Sequence, residues 1–397
     1  MNICAWTNTP IAALGRVVLA TTLAAAISLP AVAGPRDQAK RIHDRLAGVP
    51  PSAAVLDQME ADILAGNPAA AAETAMEDVN FYNVTLKNFA APWTNRDRSV
   101  FVPLNDYIAT VIGMVRDDKD FRQLLWGDIT YVGRNGVVAD SPSPGNNNHY
   151  AQLEAQNVNL KAELVEQPQS SIMGLPPSAT AGVMTSRAAS EAFFVAGTNR
   201  AMFRFTLLNH MCNDLEQVHD TNLPPDRIRQ DVSRSPGGDS RLFLNNCIGC
   251  HTGMDPLAGA FAYYNYNEDT GLLEYTPGTV QPKYFNNDLN FPQGYRTTDD
   301  HWVNYWREGQ NAYLGFDVNG LGLPAEGTGA KSMGRELANS YAFAACQVKK
   351  VFRSVCLRSA ESAADRNAVV AITENFRTGG YRMKQVFAET AVHCMGE

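Results

Sequence analysis

Between Gly34 and Gly133, apolar residues recur at intervals of three and four, the spacing that lines one face of a helix. Asp37 to Leu46 follows this pattern and stops at Gly48 and Pro50-Pro51. Ser52 offers a capping hydroxyl to a second helix, which runs through Val55, Met59 and Ile63 to Gly66. Pro103 to Val115 and Asp117 to Trp126 predict two more. The stretch Gly133 to Asn148 is crowded with Gly, Pro, Ser and Asn and reads as a loop or boundary. A helix is expected over Thr198 to Met211. Pro224-Pro225 and Pro236-Gly237-Gly238 bracket a connector, after which Asp239 or Ser240 caps a short helix ending near His251. From Phe261 to Tyr295 the pattern is strand and turn, with Asp269-Thr270-Gly271 as a turn; Tyr263, Tyr264, Tyr266 and Tyr275 are expected to pack within this small β excursion, the alternative being that they wall a cofactor. Helices return over Gly334 to Cys356, Ala363 to Phe376 and Tyr381 to Cys394.

The first 33 residues do not belong to this pattern. Arg16 precedes an apolar run from Val17 to Ile27, and Ala31-Val32-Ala33 forms a small-x-small cleavage site. These are the parts of a secretory signal peptide, so the chain is expected in the periplasm after cleavage behind Ala33. The run is short of the ~20 residues that span a bilayer. No later segment is long and apolar enough to cross, so the mature chain is expected to have no stable membrane span. The formal charge is -8, and loss of Arg16 leaves -9. Such a charge argues against nucleic acid as a partner.

Cys247-Ile248-Gly249-Cys250-His251 is a C-x-x-C-H sequence, the attachment site of a c-type haem. Two thiols on one helical turn can each add to a haem vinyl group, and the adjacent His supplies an imidazole nitrogen to the iron. With 7 Cys and 7 His in 397 residues, chance supplies only about 0.002 such pentapeptides. A zinc site would need two further Cys or His at short spacing, and no second pair is nearby. A thioredoxin-like dithiol would lie between a strand and a helix start and leaves His251 unexplained. One covalent haem c is therefore expected.

A carbonyl beside Pro256 is the expected acceptor for the second ring nitrogen of His251, fixing its tautomer. Two residues are candidates for the sixth iron ligand. Met333 follows a Gly-rich loop just before the C-terminal helices, and His301 is the other; an open position is the third possibility. Outside the motif, Cys212, Cys346, Cys356 and Cys394 should pair in an oxidising compartment. Cys346 and Cys356 lie on one predicted helix with a rise of about 15 Å between them, too far for a disulfide. Short connections make the last three helices antiparallel neighbours, which brings Cys394 to Cys356 and leaves Cys212 with Cys346.

Several segments resemble the large planctomycete-type periplasmic cytochromes. Arg41 to Pro51 is similar to their "RLTGLPPT"-like opening, and Gly182 to Ser186 with Thr198-Asn199-Arg200 to a "GVLT…RG" segment. Cys247 to Phe261 (CIGCHTGMDPLAGAF) is similar to their "CxxCHxxxDPLGxxxE" haem segment, and Phe343 to Arg358 to the closing helix. Many members carry a second haem motif near the N-terminus; this chain has none, and Tyr263-Tyr264-Asn265 stands where a Glu often follows. The resemblance implies a periplasmic haem protein and says little of a substrate.

The combined expectation is a mainly α chain: a helical N-terminal region followed by a cytochrome c-like helical domain with a small β/loop excursion. The regions expected are 1–33 signal peptide, 34–150 helical N-terminal domain, 151–235 helical connector and 236–397 haem domain. Electron transfer is the leading function, with a redox partner protein carrying a basic docking patch. The alternative is a haem enzyme, a peroxidase or small-molecule oxidase, with an open distal site that His301, Arg307 and Glu308 could furnish. No catalytic residue is assigned.

Overall fold

The computed structural model describes residues 33–195, 197–225, 241, 243–286, 288–289 and 291–396. The expected signal peptide and the connector residues from 226 to 240, including the caps Asp239 and Ser240, lie outside them. Helices dominate the described residues. Strands form three antiparallel pairs: β1 (Thr130–Gly133) with β2 (Leu164–Gln167), β3 (Tyr264–Asn267) with β4 (Leu272–Tyr275), and β5 (His301–Val303) with β6 (Glu326–Thr328).

The N-terminal helices follow their sequence signals closely. Pro35–Ala47 begins on a proline and ends at Gly48, whose φ of 74° suits a residue without Cβ. Ser52 accepts a bond from the Val55 amide and starts helix Ala53–Leu64. Pro68–Met76 packs against both. The expected helix from Pro103 begins later, at Asp106, because Asn105 turns its side chain onto the Ile108 amide. The stretch from Asp117 to Trp126 is no helix of its own. Asp118 takes a left-handed φ of 50°, and only a 3-10 turn follows over Phe121–Leu125.

At the C-terminal end, the run expected as one helix from Gly334 is two. Gly329–Ala338 ends at Asn339, and Ser340 caps Tyr341–Cys356 through the Phe343 amide. Ala363–Thr378 and Met383–His393 complete the bundle. Met383–His393 lies on both Tyr341–Cys356 and the N-terminal helix Pro68–Met76. The Phe387 ring meets Phe81 edge-on at 5.2 Å between centroids. One set of buried apolar side chains runs through the molecule from Ala39 to Cys394.

Two disulfides join these parts. Cys212 pairs with Cys346, with Cα atoms 5.2 Å apart, and Cys356 pairs with Cys394 at 5.6 Å. These are the pairs expected from the antiparallel packing of the last helices.

The β3–β4 hairpin turns through Gly271 at φ 70°. Its aromatics serve packing: the Tyr264 hydroxyl donates to the Ala179 carbonyl at 2.6 Å, and Tyr263 packs with Ala262 and Tyr284.

Candidate haem site

The C-x-x-C-H residues lie at the start of a helix, not at the end of one. A π-turn over Phe243–Cys247 leads directly into helix Ile248–Ala258. This corrects the expected position, a short helix ending near His251. A helical turn, not a strand, precedes the pair, and a dithiol site still leaves His251 unexplained. Burial and the nearby carboxylates of Glu216 and Asp214 push the Cys250 thiol up. Among the described residues, no three His, Cys, Asp or Glu side chains converge to hold a metal ion.

The helix has two unlike faces. Gly249, Thr252 and Gly253 are buried against the protein. A Cβ on Gly249 would lie 2.1 Å from His219 Nε2, and one on Gly253 would lie 2.1 Å from Trp306 Nε1. The Asp220 amide donates to the Gly249 carbonyl at 2.9 Å, and the Thr252 hydroxyl donates to the Asp220 carbonyl at 2.7 Å. Residues three and four apart share a helix face, so Cys247, Cys250 and His251 line the opposite side. All three are only partly buried. Both thiols are unpaired, while Cys212, Cys346, Cys356 and Cys394 are bonded.

His251 is held from its own helix and from a neighbouring one. Its Nδ1 lies 3.1 and 3.2 Å from the two carboxylate oxygens of Asp255, one turn on. Asp255 in turn receives both arms of Arg200, Nε and Nη2, each at 2.7 Å. Burial raises the Asp255 carboxyl, but the Arg200 guanidinium and the His251 bond outweigh it and bring it down to about 2. The carboxylate is therefore charged and accepts, which places a proton on His251 Nδ1.

The carbonyl expected beside Pro256 is not the partner found for Nδ1. Pro256 lies inside the helix, and helical geometry sends the ring of His251 toward residue 255 instead. The sequence carried a signal for this contact, an Asp four positions after the His in a helical segment.

The other candidates stand elsewhere. His301 is the first residue of β5 and packs its carbonyl against Gly259, just beyond the motif helix. Its Nε2 lies 3.5 Å from a Glu326 carboxylate oxygen. Met333 is fully buried on helix Gly329–Ala338, which packs against the turn Gly259–Phe261. That turn lies eight residues past His251, about 12 Å along a helix. Arg307 is committed to Glu336 through bonds of 2.7 and 2.6 Å, and Asn304 donates to the same carboxylate. It is thus a structural ion pair under β5. Glu308 lies with Asp220 and Tyr305 around a different, open cavity of about 370 Å³.

The residues at the motif fit a covalently held haem. Cys247 and Cys250 would carry the two thioether bonds, and His251 Nε2 would face the iron. No family model matches the chain, and no curated protein or solved structure matches it.

Proposed function

We propose that this chain is an exported mono-haem c-type cytochrome of the planctomycete-type periplasmic group, acting in electron transfer as a carrier or redox subunit. The observation that carries the reading is the motif itself in its setting. Two thiols outside any disulfide and an imidazole held through Nδ1 share one face of a helix, in a chain whose other described cysteines are oxidised. A bound haem supplies a one-electron ferric/ferrous couple at this face. The chain's own part is to tether it through Cys247 and Cys250, to ligate through His251, and to hold that ligand through Asp255.

The carrier reading requires an iron closed on both sides. Met333 is the candidate we carry for a second iron ligand, although it is buried on helix Gly329–Ala338. The ferric protein should then be low-spin and fail to bind cyanide. Met333→Ala should open the site, lower the potential and create binding of cyanide or carbon monoxide, with the haem still attached. A high-spin ferric wild type that binds cyanide or peroxide readily would replace the carrier by a haem enzyme, and His301 would be the first residue to test as a distal acid or base.

A further inference from the structure

The contact between His251, Asp255 and Arg200 is more than a packing detail. Arg200 opens helix Arg200–His210, which lies along the motif helix. The start of that helix is pinned from the far side. Asn199 takes a left-handed φ of 57° and donates through Nδ2 to the Phe261 and Tyr264 carbonyls, both at 2.8 Å. The Tyr284 hydroxyl donates to the Thr198 carbonyl at 3.0 Å. The β3–β4 excursion therefore fixes where Arg200 begins. Arg200 grips both oxygens of Asp255, and its side chain is about one-third exposed while that of Asp255 is 7% exposed. The carboxylate has little freedom to leave His251.

We propose that Asp255 and Arg200 are a positioning pair that holds His251 in one tautomer and sets the reduction potential of the haem bound at Cys247 and Cys250. The inference rests on the haem reading above. A carboxylate accepting from Nδ1 makes the imidazole a more basic ligand than a neutral carbonyl does, and a more basic ligand favours ferric iron. Arg200 works against this by drawing on the same carboxylate. The two residues consequently have opposite effects, although they form a single contact.

The test is redox titration of the purified haem protein and its variants. Asp255→Asn removes the charge and keeps the shape. It should raise the potential by about 59 mV, a tenfold shift in the one-electron equilibrium. Arg200→Gln leaves the carboxylate uncompensated and should lower the potential, while Arg200→Lys, which keeps the positive charge, should stay nearer wild type. A purely structural role would move both variants in the same direction or not at all, and either result with haem attached overturns the proposal. If Asp255→Asn fails to fold, the Arg200 pair and the His251 Nδ1 proton decide. That proton should give a slowly exchanging resonance in the reduced wild type, and its loss in fast exchange would overturn the proposal. A wild type without covalent haem overturns this proposal and the function reading together, whereas normal haem content with unmoved potentials overturns this proposal alone.

Discussion

Gly249 and Gly253 decide how the motif sits, because a helix must present one face to the protein before the other can hold a haem. The rings of His219 and Trp306 occupy the space where side chains at these positions would be. Gly253→Ala should force the indole or the helix outward and destabilise the fold by about 1–3 kcal/mol, the usual cost of overpacking; denaturant unfolding monitored by Trp fluorescence measures it. Haem attachment should suffer in the same variant, since Cys250 and His251 ride on the displaced turn. At this scale the sequence was legible where chemistry demands particular residues in a fixed order, as in Cys247, Cys250 and His251. It was less so where geometry chooses among neighbours. Whether the Nδ1 acceptor is Asp255 or a carbonyl beside Pro256 depends on the backbone staying helical through the proline. Arg200 could not be paired with Asp255 from sequence, because the contact joins residues far apart in the chain.

The last two helices and the connector that follows Tyr341–Cys356 are tied together through one carboxylate. Asp365, in the first turn of Ala363–Thr378, accepts from Arg358 Nη2 at 2.9 Å and lies 2.9 Å from His393 Nε2 at the end of the last helix. The His393 and Arg358 bonds hold its carboxyl well below the usual carboxylate range. A lowered folded-state value stabilises the fold above the unfolded value, near pH 4. That contribution is lost as the pH falls through the folded value. Asp365→Asn should therefore unfold at lower urea than wild type at pH 7, and the gap should close on strong acidification. The disulfide Cys356–Cys394 closes the same bundle. Replacing both cysteines by Ser should cost about 2–4 kcal/mol in the non-reduced protein. Peptide mapping of the wild type should recover Cys212 with Cys346 and Cys356 with Cys394; a Cys346–Cys394 peptide would contradict this bundle. Helix periodicity and caps marked most of these elements. The split at Asn339-Ser340 was missed because apolar spacing carries on across it while the Ser340 cap restarts the backbone. The β1–β2 and β5–β6 pairs were missed because strands of three or four residues give too short a pattern to show alternation.

For the whole molecule, the apolar core passes through regions that the sequence divides by loops. The N-terminal helices meet the C-terminal ones directly, with Arg45 donating to the Val355 carbonyl at 3.1 Å. The fold class, mainly α with small strand pairs, was legible from helical spacing alone. The contact between the two ends was not, since it depends on pairing between distant segments. No helix among the described residues is long and apolar enough to cross a membrane. The formal charge, -8 for the full chain and -9 once Arg16 leaves with the expected signal peptide, should steer a basic redox partner, so electron exchange with a small basic cytochrome should slow as salt is raised from low ionic strength. Salt-independent exchange would remove electrostatics from the encounter.

The most direct test of the central claim is covalency. The purified protein is denatured in acid and extracted with an organic solvent, and the absorption of the two fractions is compared. The account predicts that the haem spectrum stays with the polypeptide, and that Cys247→Ala with Cys250→Ala abolishes it. A haem that passes into the organic phase, or a protein that carried none after expression in a host able to attach it, would contradict the account.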